Sequence, residues 1–357
     1  MTPLHPARSQ YEGGVSEVGP GIHAWLQPNG ALGESNAALV IGAGHSLLVD
    51  TLWDLRLTRR MLDAFAPLTA EAPIDTLVNT HSDGDHWWGN QELAGVEAIT
   101  SDAAAAVMAD ETPGELKRFG LLAAALRAAG SIPIPYPRRD DIRTIAAYVG
   151  EALAPFDFDG VELTPPRRTF SARLRLDVGG REVELIEVGP AHTAGDLIVW
   201  VPDARVAIAA DILFIGVTPI MWIGPLSNWV AALEALLELG AERFVPGHGP
   251  VCGPGEVTRL LDYWRWLDAA ATPRLEAGES PPEVARALVL GEEIRERGFG
   301  DWLGPERALV SIATMDAHRH GEAKAPGPRE LVAAFFRMAL LARDLTAGGN
   351  TASTTDD

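Results

Sequence analysis

Cysteine is nearly absent: Cys252 is the one thiol in 357 residues. A lone thiol excludes an intrachain disulfide framework and a thiolate-built zinc knuckle, and it suits a reducing cytoplasm. Long apolar runs are also missing. The apolar stretches fall far short of the roughly 18–20 residues that cross a bilayer. Met1 to Gly14 has neither the basic start nor the apolar stretch of a signal peptide. A cytoplasmic protein with no membrane partner is therefore expected. Lysine occurs at Lys117 and Lys324 alone, and acidic residues outnumber basic ones 49 to 29, for a formal net charge of -20. Such a chain does not seek nucleic acid, whose affinity rests on cationic contacts to phosphate. No G-x-S-x-G nucleophile elbow is present.

Hydrophobic residues make up 47% of the chain, enough for one large core or two smaller ones. Short strands are predicted at Ile22–Leu26, Ala37–Val40, His45–Thr51, Ile74–Asn79 and Gly95–Ser101. Apolar spacing predicts helices at Arg56–Phe65, stopped by Pro67, and at Ala103–Ala109. Residues 110–170 read as an insertion that covers something. It has helical stretches at Leu116–Ala129 and Ile142–Leu153, and three prolines in "SIPIPYPRR" break both helix and strand between them. A hairpin follows, with "RLRLDV" and "EVELIEV" joined at Gly179–Gly180. Strands are expected again in "DLIVWVP", "VAIAAD" and "RFVPGHG", with an amphipathic helix at Trp229–Leu239. Beyond Cys252 the chain reads as helices at Glu256–Ala271, Pro282–Leu290, Glu306–Arg319 and Arg329–Leu345. The small polar tail, 348–357, is expected to be disordered.

The chemistry gathers on four segments, each after a strand-like run. "NTHSDGDHWWGN" supplies His81, Asp83, Asp85 and His86. "GPAHTAGD" supplies His192, "AADILF" supplies Asp211, and "PGHGP" supplies His248. Histidine with carboxylate suits zinc, iron or manganese. His5, His23, His45, His318 and His320 lack such settings. The four motifs, in this order and spacing, resemble those of the metallo-β-lactamase superfamily of hydrolases, over roughly Gly21 to Pro254. The resemblance implies an α/β fold, an αββα sandwich with the metal site at one sheet edge. It implies residues 1–254 as that domain, the insertion over the site, and a helical C-terminal extension, 255–347, packed on it. It also implies two divalent metal ions, zinc foremost, with iron or manganese as the other candidates. His81, residue 83 and His192 would hold one, Asp85, His86 and His248 the other, and Asp211 would bridge them.

Asp83 stands where the superfamily usually has histidine. A carboxylate oxygen lies closer to its own backbone than an imidazole Nε2, and an ionised Asp83 lowers the site's net charge by one. That weakens Lewis acidity and favours harder metals. Asp83 is read as a ligand of a dinuclear site, with a base beside a single metal and a silent site as the alternatives. Asp85 and Asp83 are the expected catalytic groups, orienting water and relaying its proton. Trp87, Trp88, Met221 and Trp222 are candidates for the substrate wall. Tyr136, Arg138 and Arg139 are either a contact for an anionic substrate or a solvated basic turn. The expected activity is hydrolysis of a small-molecule ester, lactone, thioester or amide. The alternatives are a non-haem iron oxygenase, a lyase or cyclase, or a binding protein with a degenerate site. The helical C-terminal third offers apolar faces for a homodimer.

Overall fold

The computed structural model describes residues 11–111, 121, 124, 125, 128 and 139–352. One sheet runs in chain order through β1 (Gly14–Gly19), β2 (Ile22–Leu26), β3 (Ala37–Ile41), β4 (Ser46–Val49), β5 (Ile74–Val78), β6 (Glu97–Ser101) and β7 (Arg168–Phe170). Its pairs are antiparallel as far as β4 and parallel thereafter. The other sheet holds β8 (Arg173–Val178), β9 (Arg181–Glu187), β10 (Leu197–Val201), β11 (Val206–Phe214) and β12 (Arg243–His248), in the order β12-β11-β10-β9-β8. All its pairs are antiparallel except β11 with β12.

Period-two alternation builds the layers. On β3, Ala38 and Val40 face Val183, Leu185, Leu197 and Val199 of the other sheet, and an apolar core fills the gap between them. Ala37 and Leu39 face outward, where Met61 and Phe65 of α1 (Leu55–Thr69) cover them. On β10, Leu197, Val199 and Val201 point into the gap. Ile198 and Trp200 point out, in one apolar cluster with α4 (Leu226–Glu238) and α5 (Pro254–Glu276). Helix, sheet, sheet, helix is the result, an αββα sandwich.

The remaining helices close one end. α2 (Asp102–Asp110) follows β6, and α3 (Arg139–Leu153) belongs to the insertion. Past α5 come α6 (Pro281–Leu290), the single turn α7 (Glu293–Glu296), α8 (Ala308–Arg319) and α9 (Pro328–Ala352). Tyr148 and Val149 of α3 pack with Val310 of α8, Met338 of α9 and Ile220.

Several expectations need correction. Pro67 does not stop α1, which runs to Thr69. Pro67 removes only the donor to the Asp63 carbonyl, and the helix ends two residues later, where the Thr69 hydroxyl donates to the carbonyls of Phe65 and Ala66. β1 and β7 lie outside every predicted strand. β1 is short and alternates with exposed residues, and β7 has three residues. A 3-10 turn at Pro305–Arg307 precedes α8, so that helix begins later than Glu306. α9 continues to Ala352, into the stretch expected to be disordered. The helix predicted at Leu116–Ala129 lies mostly outside the described residues, and Tyr136 and Arg138 lie wholly outside them. Among the described residues no helix is long and apolar enough to cross a membrane.

Candidate metal centre

The C-terminal ends of β4, β5, β9 and β12 and the last half of β11 meet at one edge of the sandwich. β5 leads into a loop and a 3-10 turn, Gly84–His86. Gly84 is required there, because a Cβ would lie 2.3 Å from the Trp88 ring. His192 is on the loop between β9 and β10, and His248 is the last residue of β12. Asp211 does not follow its strand as expected but sits within β11. Ala210 before it has φ 44, and the β11–β12 register shifts on either side. This bulge turns the Asp211 carboxylate to the sheet edge.

The seven predicted side chains come together. Three overlapping groups each bring their ligand atoms within 4.8 Å of one another: His81, Asp83 and His192; Asp85, His86 and His248; and His81, His86 and Asp211. Asp211 is central. Its Oδ1 is 3.1 Å from His86 Nε2, and its Oδ2 is 3.3 Å from His192 Nε2 and 3.4 Å from His248 Nε2. Asp83 Oδ2 is 3.0 Å from His192 Nε2, and Asp85 Oδ2 is 3.6 Å from His248 Nε2.

The far nitrogens of three imidazoles are tied down. His86 Nδ1 lies 2.9 Å from Asp50 Oδ2. His81 Nδ1 donates to the Thr80 hydroxyl, which donates to Asp50 at 2.7 Å. His192 Nδ1 donates to the Ile220 carbonyl at 2.6 Å. Each of these histidines therefore turns its Nε2 lone pair inward. Asp50 is buried and holds φ 64, a left-handed backbone that costs a β-carbon residue free energy. Asp196 accepts from Thr193 N, Thr193 Oγ1 and Ala191 N, bracing the His192 loop. Asn79 and Asn90 bond each other, and Asn79 Nδ2 also holds the His86 carbonyl.

This donor set fits a divalent metal centre. Among the described residues His81 Nε2, His86 Nε2 and Asp211 Oδ1 are buried and make no hydrogen bond. His86 Nε2 and Asp211 Oδ1 are close but misaligned for one. Each orphaned buried group costs about 1–3 kcal/mol, and convergent orphans of this kind are explained by a cation between them. Electrostatics agrees. Burial disfavours the charged form of His86, but Asp211, Asp85 and Asp50 outweigh it and push its pKa well up. Burial also opposes the His192 imidazolium, while its hydrogen bond to Asp83 and the nearby carboxylates raise it to about 10. Burial and the neighbouring imidazolium of His86 hold His81 well below its usual range. Burial works to raise Asp211, and His248 and His86 more than offset it, keeping this carboxylate ionised.

Two expected results follow. Metal must displace protons from His86 and His192, so loading at neutral pH releases protons and apparent affinity rises with pH. Titration calorimetry in buffers of different ionisation enthalpy measures this, and no buffer dependence would contradict it. In the metal-free protein, the raised His192 pKa contributes stability that is full below about pH 6.5 and lost as pH rises through about 10. The second result concerns Asp50, a carboxylate at the end of the predicted strand His45–Thr51. Asp50→Ala should weaken metal binding by roughly 10–100-fold with every ligand retained. Competition against a chromogenic chelator reads the change, and unchanged affinity would remove Asp50 from the site.

The other candidates divide. Trp87 turns into the core, fully buried, and donates to the Ser82 carbonyl, so it is no part of a substrate wall. Met221 is fully buried among apolar residues behind the site. Trp222 is half-buried against the α3–α9 cluster, and its backbone N–H donates to the His192 carbonyl. Trp88 is partly open and packs with Trp53 and Phe158, and Phe156 joins through Trp53. Arg139 begins α3, half-buried. Cys252 is buried, which pushes its thiol up to about 12 and removes it as a nucleophile at neutral pH.

The family model of the metallo-β-lactamase superfamily matches residues 30–248. A curated relative, the 2,4-dinitroanisole O-demethylase subunit alpha of Nocardioides sp., is 28% identical over 162 residues, covering 43% of this chain and 48% of that protein. The match thus spans about half the length of that relative. Among solved structures, a metallo-β-lactamase family protein from Thermus thermophilus aligns over 87% of this chain and 97% of its own, at TM-score 0.55 and 18% identity. The stereoselective inverting sec-alkylsulfatase from Pseudomonas sp. aligns over 88% of this chain and 52% of its own, at TM-score 0.59 and 17% identity. At these identities the structural likenesses speak for the fold alone.

Proposed function

The chain belongs to the metallo-β-lactamase superfamily, and from that premise we propose that it is a metal-dependent hydrolase of a small-molecule ester, lactone, thioester or amide. The observation that carries the reading is the ligand set itself. Seven side chains converge in overlapping triads, and the buried Nε2 atoms of His81 and His86 have no hydrogen-bond partner among the described residues.

On this reading His81, Asp83 and His192 would hold one divalent ion and Asp85, His86 and His248 a second, and Asp211 is within reach of both sets of ligands. Bound metal supplies Lewis acidity, which polarises the scissile group and lets water attack at neutral pH. The protein's own residues do the rest. Asp85 orients the attacking water and accepts its proton. Asp50, Thr80 and Ile220 keep the imidazoles from turning. Trp88, Trp53, Phe156 and Phe158 form a partly exposed aromatic cluster beside Gly84 and favour an aryl group on the substrate. The relative's name refers to O-demethylation of an aromatic ether, so 2,4-dinitroanisole belongs among the compounds to assay.

The test is a panel of aryl and alkyl esters, lactones, thioesters, anilides and 2,4-dinitroanisole, given to metal-loaded protein with and without a chelator. Chelator-sensitive turnover is expected, with Asp85→Asn lowering kcat about 10²–10³-fold. Full metal content with no turnover on any compound would overturn the reading. Trp88→Ala should raise KM for aryl substrates by roughly tenfold, about 1.4 kcal/mol, and alter alkyl substrates less. Equal effects on both would remove the aromatic cluster from recognition. Asp83 favours one second reading, oxygen chemistry on non-haem iron, since histidine with carboxylate suits that metal. Iron in the purified protein and substrate-dependent oxygen uptake would select it.

A further inference from the structure

Arg307 is 2% exposed, and among the described residues its guanidinium makes no hydrogen bond and no ion pair. Arginine is seldom buried unless its donors are satisfied, because an unpaired buried cation carries a large desolvation penalty. The neighbouring carboxylate does not serve it: Glu306 Oε1 accepts from the Tyr148 hydroxyl at 2.9 Å, and the pair leaves the guanidinium aside.

The backbone fastens the segment that carries Arg307 alongside the segment that follows β11. Leu303 bridges to Val217, three residues past the end of β11, and exchanges hydrogen bonds with Gly216 and Thr218. Farther along, the Ser311 hydroxyl accepts from Met221 N, and the Thr314 hydroxyl donates to the Met221 carbonyl. The start of α8 is thus fastened along residues 216–221. That is the segment whose Ile220 carbonyl holds His192. Burial disfavours the charged guanidinium, Tyr148 and Glu306 act against that most strongly, and Asp211 and Asp85 of the metal centre are also within electrostatic reach. Neither carboxylate bonds it, so among the described residues Arg307 is a buried fork of donors with no acceptor.

We propose that Arg307 receives an anionic oxygen group of the substrate beside the metal centre, so that the preferred substrates carry a carboxylate or a tetrahedral oxyanion. The inference deepens the hydrolase reading and rests on it for the word substrate. Arginine suits the task because its planar donors meet two oxygens at once.

Calorimetry on the metal-loaded protein tests it, with inorganic sulfate as the tetrahedral probe and acetate as the carboxylate probe. The tighter of the two identifies the oxyanion class. Arg307→Met and Arg307→Gln should each weaken that probe by at least tenfold at unchanged metal content. Arg307→Met should also keep or raise the melting temperature, because an apolar side chain then replaces an unpaired buried cation. Undiminished affinity in both variants would show that the anion meets the metals alone, and would overturn the proposal. So would absence of binding to the wild type, or an Arg307→Met protein that does not fold. Binding is read without turnover, so the two readings fail separately. Lost anion affinity with no hydrolysis of any compound sinks only the hydrolase. Normal hydrolysis with unchanged anion affinity sinks only the anion site.

Discussion

Asp211→Ala is expected to empty the metal centre and to lower hydrolysis by at least about 10³-fold. The reason is geometric. Asp211 is within 3.1 to 3.4 Å of His86, His192 and His248, so it serves both triads at once. Without it four buried histidines face one another around a void. A less obvious change should act in the same direction. The α-carbon of Gly247 faces Asp211, and a Cβ there would lie 1.8 Å from Asp211 Oδ1. Gly247→Ala therefore keeps every ligand yet displaces the central one, and should also cost most of the bound metal. Metal content and kcat on the best substrate measure both. A Gly247→Ala protein with full metal and full activity would show that Asp211 does not need its observed position.

Asp83 gives the second large effect, because it separates the two triads. It touches His192 at 3.0 Å and belongs to the group with His81, while Asp85, His86 and His248 do not use it. Asp83→Ala should leave about one metal ion per chain and lower kcat by roughly 10²–10³-fold. Asp83→His should keep two ions and shift the preference toward zinc, since imidazole is the softer donor. It also adds one unit of positive charge to the site. The acid limb of the pH–rate profile should therefore move to lower pH, as water bound in a more positive site ionises more readily. A pH–rate profile for the two forms measures the shift. Movement to higher pH would contradict the charge argument.

Much of this was legible because the informative residues are polar groups placed where apolar strands end. "IDTLVNTH" runs from a buried strand into the ligand loop, and β5 and the loop are found there. The same logic located His192, Asp211 and His248. What escaped was contact between distant segments. Asp50 ends an apolar strand as well, but one carboxylate at a strand end looks like an ordinary cap. Its bonds to His86 and Thr80 exist only once β4 lies beside β5. Of the Trp87–Trp88 pair, which ring turned inward depended on α2, since Trp87 packs on Ala104 and Met108. The strand setting of Asp211 was hidden because "ILF" continues β11 only through the bulge at Ala210. Arg307 sat unnoticed in a helical stretch, since nothing in that pattern tells a buried cation from a solvated one.

Metal analysis of protein purified without added metal, beside the Asp83→Ala form, addresses the central claim most directly. About two divalent ions per chain are expected in the first and about one in the second. Wild-type protein that holds no metal and takes none up on addition would contradict it.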